Sequence, residues 1–413
     1  MRQRKENQET NTQTRQMSNK RANLHLLHLE EYILEFGSSG GEQVMEILKA
    51  MGEFLSGGGA PGVKVTTKFD GAPAVICGID PRDGKFFVGT KGVFAKTPKL
   101  AKTQQEVNEL YDGGLQLKMA DALRYLPDVV KTGVLQGDLM FTNDKKTERI
   151  DGKEYITFRP NTITYAIEPN TPLGRTISTA KLGIVFHTKY TGNDFESMQS
   201  SFNVTDSDFA KTPMVWGERA EYTDVSGIAH LSPNEKSQYE AAVRRARGSL
   251  KQAGGTLNLI QSGKKTLAID TEFKIFFNKY VREGQAIPSV NRAYTDFLKH
   301  MAQKFGAASE KLSSSPAQSK KVDEFMQMVE FIEKNHVGLK MVIAAYMNIQ
   351  FCKNILVNKM KKVTKLSLFA DMGNGDYRVT TPEGFVGILN GKAVKLVDRL
   401  TFSKLNFTLE KKW

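Results

Sequence analysis

Lys68-Phe69-Asp70-Gly71 follows an apolar run containing Val63 and Val65 and precedes another from Ala72 to Ile79. The pattern predicts a strand that ends in a lysine, an Asp-Gly turn, and a second strand. A lysine in that place is held on rigid sheet beside a glycine that lets a ligand approach the backbone. An amine so presented suits covalent chemistry, because lysine becomes nucleophilic when burial or nearby cations lower its pKa. The tetrapeptide alone also fits a solvated lysine at a common hairpin turn, so its meaning depends on the rest of the chain.

The 413 residues predict two or three domains, and an apolar content of 40% is enough for real cores. Two distant cysteines, Cys77 and Cys352, argue against a disulfide framework or zinc site and for a reducing compartment. The polar first residues carry no secretory pattern, and the most apolar stretch, 337–357, is interrupted by Lys340, Asn348, Gln350 and Lys353. A soluble, cytoplasmic protein without membrane contact is expected. The net charge of +13 makes a polyanionic partner plausible. Lys353, Lys359, Lys361, Lys362 and Lys365 form a run without an acid, and it is the expected nucleic-acid track.

Residues 1–22 read as a disordered basic arm, with six basic groups against Glu6 and Glu9 in the first 21 positions. Helical spacing over 24–36 and 42–55, split by Gly37-Ser38-Ser39-Gly40-Gly41, predicts a helical hairpin within 23–60. His25 and His28, three apart on it, read as packing residues. Short β runs follow at 63–68, 74–79, 85–90, 133–141, 154–158, 162–168 and 182–188, with helices near 104–111 and 115–126 between them. Residues 190–230 yield no assignment. Five helices are expected at 233–252, 269–283, 288–306, 318–335 and 337–360, with a linker at 313–319. Strands return at 366–370, 378–380, 384–389 and 393–397, and Asp151-Gly152 and Asn390-Gly391 read as hairpin turns. The expected organisation is a core in two parts, 61–230 and 363–413, interrupted by a helical insertion at 231–362.

Four signals recur in order through the β parts: Lys68-Phe-Asp-Gly71, then Gly89-Thr90-Lys91-Gly92, then Val134-Leu-Gln-Gly-Asp138-Leu-Met-Phe141, and last Glu383-Gly384-Phe385-Val386 with Val394-Lys395-Leu396-Val397 after it. Lys91, Glu383 and Lys395 could each be an exposed turn or strand residue. Asp138 is harder to dismiss, since an acid among Val134, Leu135, Leu139, Met140 and Phe141 is costly to bury unless it is paired, hydrogen-bonded or bound to metal.

This ordered set resembles the covalent nucleotidyltransferase superfamily of ATP-dependent DNA and RNA ligases and mRNA capping enzymes, over roughly 63–190 and 364–407. The resemblance implies an α+β fold: an ATP-grasp-like ligase core of antiparallel sheets with an inserted helical domain. It implies that Lys68 attacks the α-phosphate of ATP to give a lysyl–AMP, with Asp70 and Lys395 as its catalytic companions. Asp70 and Gly71 would shape the turn, Lys91 would contact nucleotide or substrate phosphate, and Lys395 would neutralise the α-phosphate. Asp138 and Glu383 would touch nucleotide and hold Mg²⁺ or Mn²⁺. Phe186, in preference to Tyr165, would stack on adenine. A second lysine and the metal near Lys68 would lower its pKa.

Three positions depart from the family pattern: Thr66 and Asp138 stand where glutamate is usual, and Val397 where a second lysine is common, with Arg399 or Lys392 as substitutes. Only about eighteen residues follow Lys395, so no C-terminal OB-fold is expected, which favours the RNA-ligase branch, most like virus-encoded members, placed then in host cytoplasm. The expected function is ATP-dependent joining of nucleic-acid ends, RNA rather than DNA. The alternatives are an inactive nucleic-acid-binding protein of the same fold, or a guanylyltransferase.

Overall fold

Strand β1 (Val63–Lys68) pairs antiparallel with β13 (Gly384–Leu389), which pairs antiparallel with β14 (Lys392–Leu396), so the first and last sheet segments of the chain lie side by side. The computed structural model describes residues 26–400 except 58–59, 223–228, 265, 311–314, 364–365, 372–376 and 381. The expected basic arm over 1–22, His25 and Lys365 lie outside the described residues. The β13–β14 turn is Asn390-Gly391, with φ of 49° and 80°. Positive φ at both positions is what a two-residue hairpin needs to follow strand twist. Asp151-Gly152, with φ of 48° and 79°, turns β5 (Lys146–Ile150) into β6 (Lys153–Phe158) in the same way.

A second sheet has the order β10 (Val215–Arg219), β8 (Leu182–Thr191), β4 (Val134–Phe141), β2 (Ala74–Ile79), β3 (Phe86–Gly89), with β9 (Gln199–Ser201) on the far part of β8. Its pairs are antiparallel except β10–β8. The third sheet runs β12 (Tyr377–Val379), β11 (Ser367–Asp371), β7 (Ile163–Ile167), β6, β5 and is antiparallel throughout. The fold is therefore mixed α and β, built mainly on antiparallel sheets. β11 and β12, late in the sequence, complete a sheet begun more than two hundred residues earlier, which is the mark of an inserted segment.

That segment is helical: α5 (Pro233–Ser262), α6 (Ile269–Glu283), α7 (Val290–Glu310), α8 (Ser315–Lys334) and α9 (His336–Met360). α5 starts sharply because Ser232 and Glu235 form a reciprocal cap around Pro233 at the first turn. The N-terminal helix α1 (Tyr32–Phe54) does not stand apart. Ile33 and Leu48 share one core with Leu257, Phe273 and Tyr346 of the inserted helices, and with Phe385 and Leu396 of the small sheet. The small sheet thus has a helical body on one face.

Two expectations change. The glycine run does not make a loop between two helices. Helix stops at Gly37, with φ 63° and ψ −142°, and resumes at once, giving a kink that leaves Gly40 against the Tyr32 carbonyl. The linker expected at 313–319 is helical from Ser315, because α8 begins inside it. Smaller elements complete the frame: α2 (Gln104–Leu110), α3 (Gly113–Tyr125) and α4 (Pro172–Thr179). Among the described residues no helix is long and apolar enough to cross a membrane.

Candidate functional site

The three sheets meet at Lys68-Phe69-Asp70-Gly71. Lys68 is the last residue of β1, opposite Gly384 of β13. Phe69 then stacks on Tyr165 of β7, 6.1 Å between ring centroids. The Asp70 amide donates to the Tyr165 hydroxyl at 2.7 Å. The Asp70 carboxylate, almost fully buried, accepts from Asn161 Nδ2 at 2.7 Å and from the Thr162 and Ile163 amides at 2.6 and 2.8 Å. Its oxygens fasten the β6–β7 turn to the end of β1, which is a turn-shaping role. Gly71 lies against β4, where a Cβ would come within 2.5 Å of the Asp138 Cβ and 3.0 Å of the Leu139 oxygen. A glycine is needed there for close approach, and the approach sets Asp138 beside the lysine.

The Lys68 ammonium donates to Glu383 Oε2, joining residues 315 positions apart. Their side chains keep 28% and 13% exposure, so the pair is enclosed yet reachable. Burial pulls the Lys68 ammonium down, but the carboxylates of Glu383, Asp138 and Asp70 outweigh it and hold its pKa above the ordinary lysine value. The expected depression is therefore not present in the free protein, because three acids outnumber the one lysine nearby. Burial pushes the Glu383 carboxyl up to about 7 against the pull of Lys68. Lys395, opposite Val386 on β14, is lowered by burial and then by the charge of Lys68. Lys68 and Glu383 are thus within electrostatic reach of both Asp138 and Lys395.

Lys91 starts a short 3₁₀ turn (Lys91–Phe94) just past β3, with its side chain exposed. The register Ile76–Gly89 and Ala74–Asp138 places it off the same end of the sheet as Asp138. Phe186 is not a stacking platform. It is fully buried and packs on Phe209, 5.0 Å away, on the opposite face from Asp138. Tyr165 is equally committed, stacked between Phe158 and Phe69. The physical reason is a bulge in β8: Gln136 faces Thr188 and Gly137 faces Phe186, so His187 is the extra residue. Bulges re-aim side chains, and this one brings His187 Nε2 to 3.6 Å from Asp138 Oδ1. His187 is the residue the sequence reading missed, and no alternation of apolar and polar positions announces a bulge.

The substitutes for a second lysine do not reach the site. Val397 is core, Lys392 is exposed at the far end of β14, and Arg399 is tied to Glu31, the Tyr346 hydroxyl and Asn278. His28 does come close: it forms a bridge with Lys395, whose amide donates to the Leu27 carbonyl at 2.9 Å. Burial and then Arg399, Lys353, Lys395 and Lys68 hold its imidazole well below its usual pKa.

Two clefts flank β1. One is lined by Lys68 with Phe69, Tyr165, Arg219, Tyr222 and Leu368. The other is lined by Lys64, Thr66, Phe186, His187, Phe202 and Arg219. Phe202, half-buried, is the more open of two aromatics lining the second cleft, the other being the buried Phe186.

The expected lysine track on α9 is corrected. Lys353 is wholly buried and bonded to both oxygens of Glu30 at 2.7 and 2.9 Å. Lys359 is paired with Glu235 and Lys361 with Asp398, at 2.7 and 3.0 Å, which leaves Lys362 exposed.

The chain belongs to a family of unknown function, DUF6267, whose model matches residues 23–411. Comparison with curated proteins and with solved structures found no match.

Proposed function

We propose that this protein is an ATP-dependent polynucleotide ligase of RNA-ligase type that works through a lysyl–AMP at Lys68. The observation that carries the reading is the Lys68–Glu383 contact with Asp138 and Lys395 near it, drawn from three strands and the residue that leads into β13. A lysine at a strand end has no structural need of two acids and a second lysine.

In the proposed step Lys68 Nζ attacks the α-phosphorus of ATP. A P–N bond forms, the bond to the α–β bridging oxygen breaks, and pyrophosphate leaves with that electron pair. The amine must attack uncharged, and its proton already lies on a hydrogen bond to Glu383. An arriving triphosphate brings negative charge that Lys395 is placed to offset, and such fixed cations act where charge develops. Asp138 and Glu383 would hold Mg²⁺ or Mn²⁺. Among the described residues there is no group of three or more His, Cys, Asp or Glu that could hold a metal ion. Two carboxylates suit Mg²⁺ all the same, since it takes one or two of them and fills its shell with phosphate oxygens and water. When bound, the ion neutralises phosphate charge.

One observation favours a second reading, a nucleotide- or nucleic-acid-binding protein without turnover: three acids keep Lys68 charged, and among the described residues neither Lys392 nor Arg399 replaces the lysine missing at Val397. One experiment separates them. Incubation with α-labelled ATP and Mg²⁺ should put label on the protein, and Lys68→Ala should take none. Label that persists in Lys68→Ala, or no label from any common ribonucleoside triphosphate, would overturn the ligase reading. Label from GTP alone would point to guanylyl transfer.

A further inference from the structure

We propose that the nucleic-acid track of this protein is a cationic stripe along α5, formed by Lys236, Arg244, Arg247 and Lys251, which binds the phosphodiester backbone. This deepens the ligase reading by locating its polymeric substrate, but the stripe is argued from its own residues.

Residues 236, 244, 247 and 251 follow helical spacing, so one face of α5 carries them over about 22 Å. Between 236 and 251 there are five cations and a single acid, Glu240. All five are exposed. Among the described residues none of the five is in an ion pair, in contrast to Lys353 and Lys359 of α9 and Lys361 just past it. Five unneutralised charges on one helix are a cost to the free fold that a polyanion relieves.

The shape narrows the partner. Lys236, Arg244 and Arg247 border a groove between α5 and α1, floored by Tyr239 and Val243, with Glu240 the one acid that α5 adds to its lining. Lys49 lies on its α1 side together with Glu53, to which it is paired at 3.9 Å. Arg245 lies on the other flank of α5, over the ring of Phe351 on α9 at 5.8 Å. Cations along a groove with an apolar floor fit a strand that offers phosphates and sugars. A flat anionic membrane would leave the groove unfilled.

The test is fluorescence anisotropy of a labelled single-stranded oligoribonucleotide, titrated with full-length protein over a range of salt concentrations. The triple variant Arg244→Gln/Arg247→Gln/Lys251→Gln should bind about tenfold more weakly or worse at low salt. Its log–log salt slope should fall by about 3, about one for each cation removed. Should the triple variant not fold, judged by far-UV circular dichroism, Arg247→Gln alone should lower the slope by about 1. An unchanged slope in a folded variant overturns the proposal. So does binding to phosphatidylserine vesicles that is lost in the variant while oligonucleotide binding is not. Labelling by α-labelled ATP should be the same in the variant and the parent. If the parent takes no label yet the slope falls as expected, the stripe stands and the ligase reading fails.

Discussion

Asp70 holds together what Lys68 needs. Three donors, Asn161 Nδ2 and the Thr162 and Ile163 amides, converge on its two oxygens. Removing them orphans buried donors, each worth about 1–3 kcal/mol. Asp70→Ala should therefore lower unfolding free energy in urea by about 3 kcal/mol or more, summing those losses. A loss under about 1 kcal/mol, within the range of ordinary surface changes, would mean the carboxylate is not the fastener. The two thiols give a second check. Burial pushes Cys352 up to about 12 and Cys77 higher still, so at pH 8 neither is a thiolate. Both should resist a thiol reagent in native protein and react together after unfolding. Prompt native labelling of either would contradict its burial. At this scale the charged residues were legible: Asp138 in an apolar strand and the order of Lys68, Glu383 and Lys395 needed no coordinates. The aromatic was not, because one extra residue in β8 turns Phe186 away and His187 inward.

Elements were legible where their local chemistry is strong. Asp151-Gly152 and Asn390-Gly391 turn as expected because each supplies positive φ at both central positions. Helical spacing predicts five inserted helices, and five are present among the described residues. Elements were missed where tertiary pairing decides. β5 (Lys-Thr-Glu-Arg-Ile) has no apolar alternation, and β10 exists through its parallel pairing with β8. α4 is short and carried by its Thr171 cap and Pro172 more than by an apolar face. The contact that matters most between elements is Gly71 on β4. A methyl there would meet the Asp138 Cβ and the Leu139 oxygen. Gly71→Ala should cost about 1–3 kcal/mol through overpacking. Because the strain falls on Asp138, it should also slow α-labelled ATP incorporation more than an equally destabilising change in the helical body. Equal labelling of the two variants would separate Gly71 from the site.

Across the whole molecule, the start and end of the described chain close on each other, and buried charge does much of the closing. Glu30, ahead of α1, meets Lys353 of α9 with both side chains fully buried, and Arg399 after β14 meets Glu31 at 3.2 Å. The acid-free lysine run from Lys353 predicts a basic track along and just past α9, yet its first lysine faces inward. Composition reports how much charge there is and not which side of a helix it occupies. A buried pair is expensive to break and cheap to replace, because removing one partner strands the other in low dielectric. Lys353→Met should therefore cost about 3–5 kcal/mol, while Lys353→Met with Glu30→Leu should recover most of that loss. Burial pulls the Lys353 ammonium below its usual pKa even with Glu30 against it, so the charge there is costly to the fold. Urea unfolding of the parent, both single variants and the double completes the cycle. A double variant as unstable as the two singles combined would mean the groups act independently. Oligonucleotide binding by the folded double variant should match the parent, since a lysine sealed inside the helical body contributes nothing to a surface that meets phosphate.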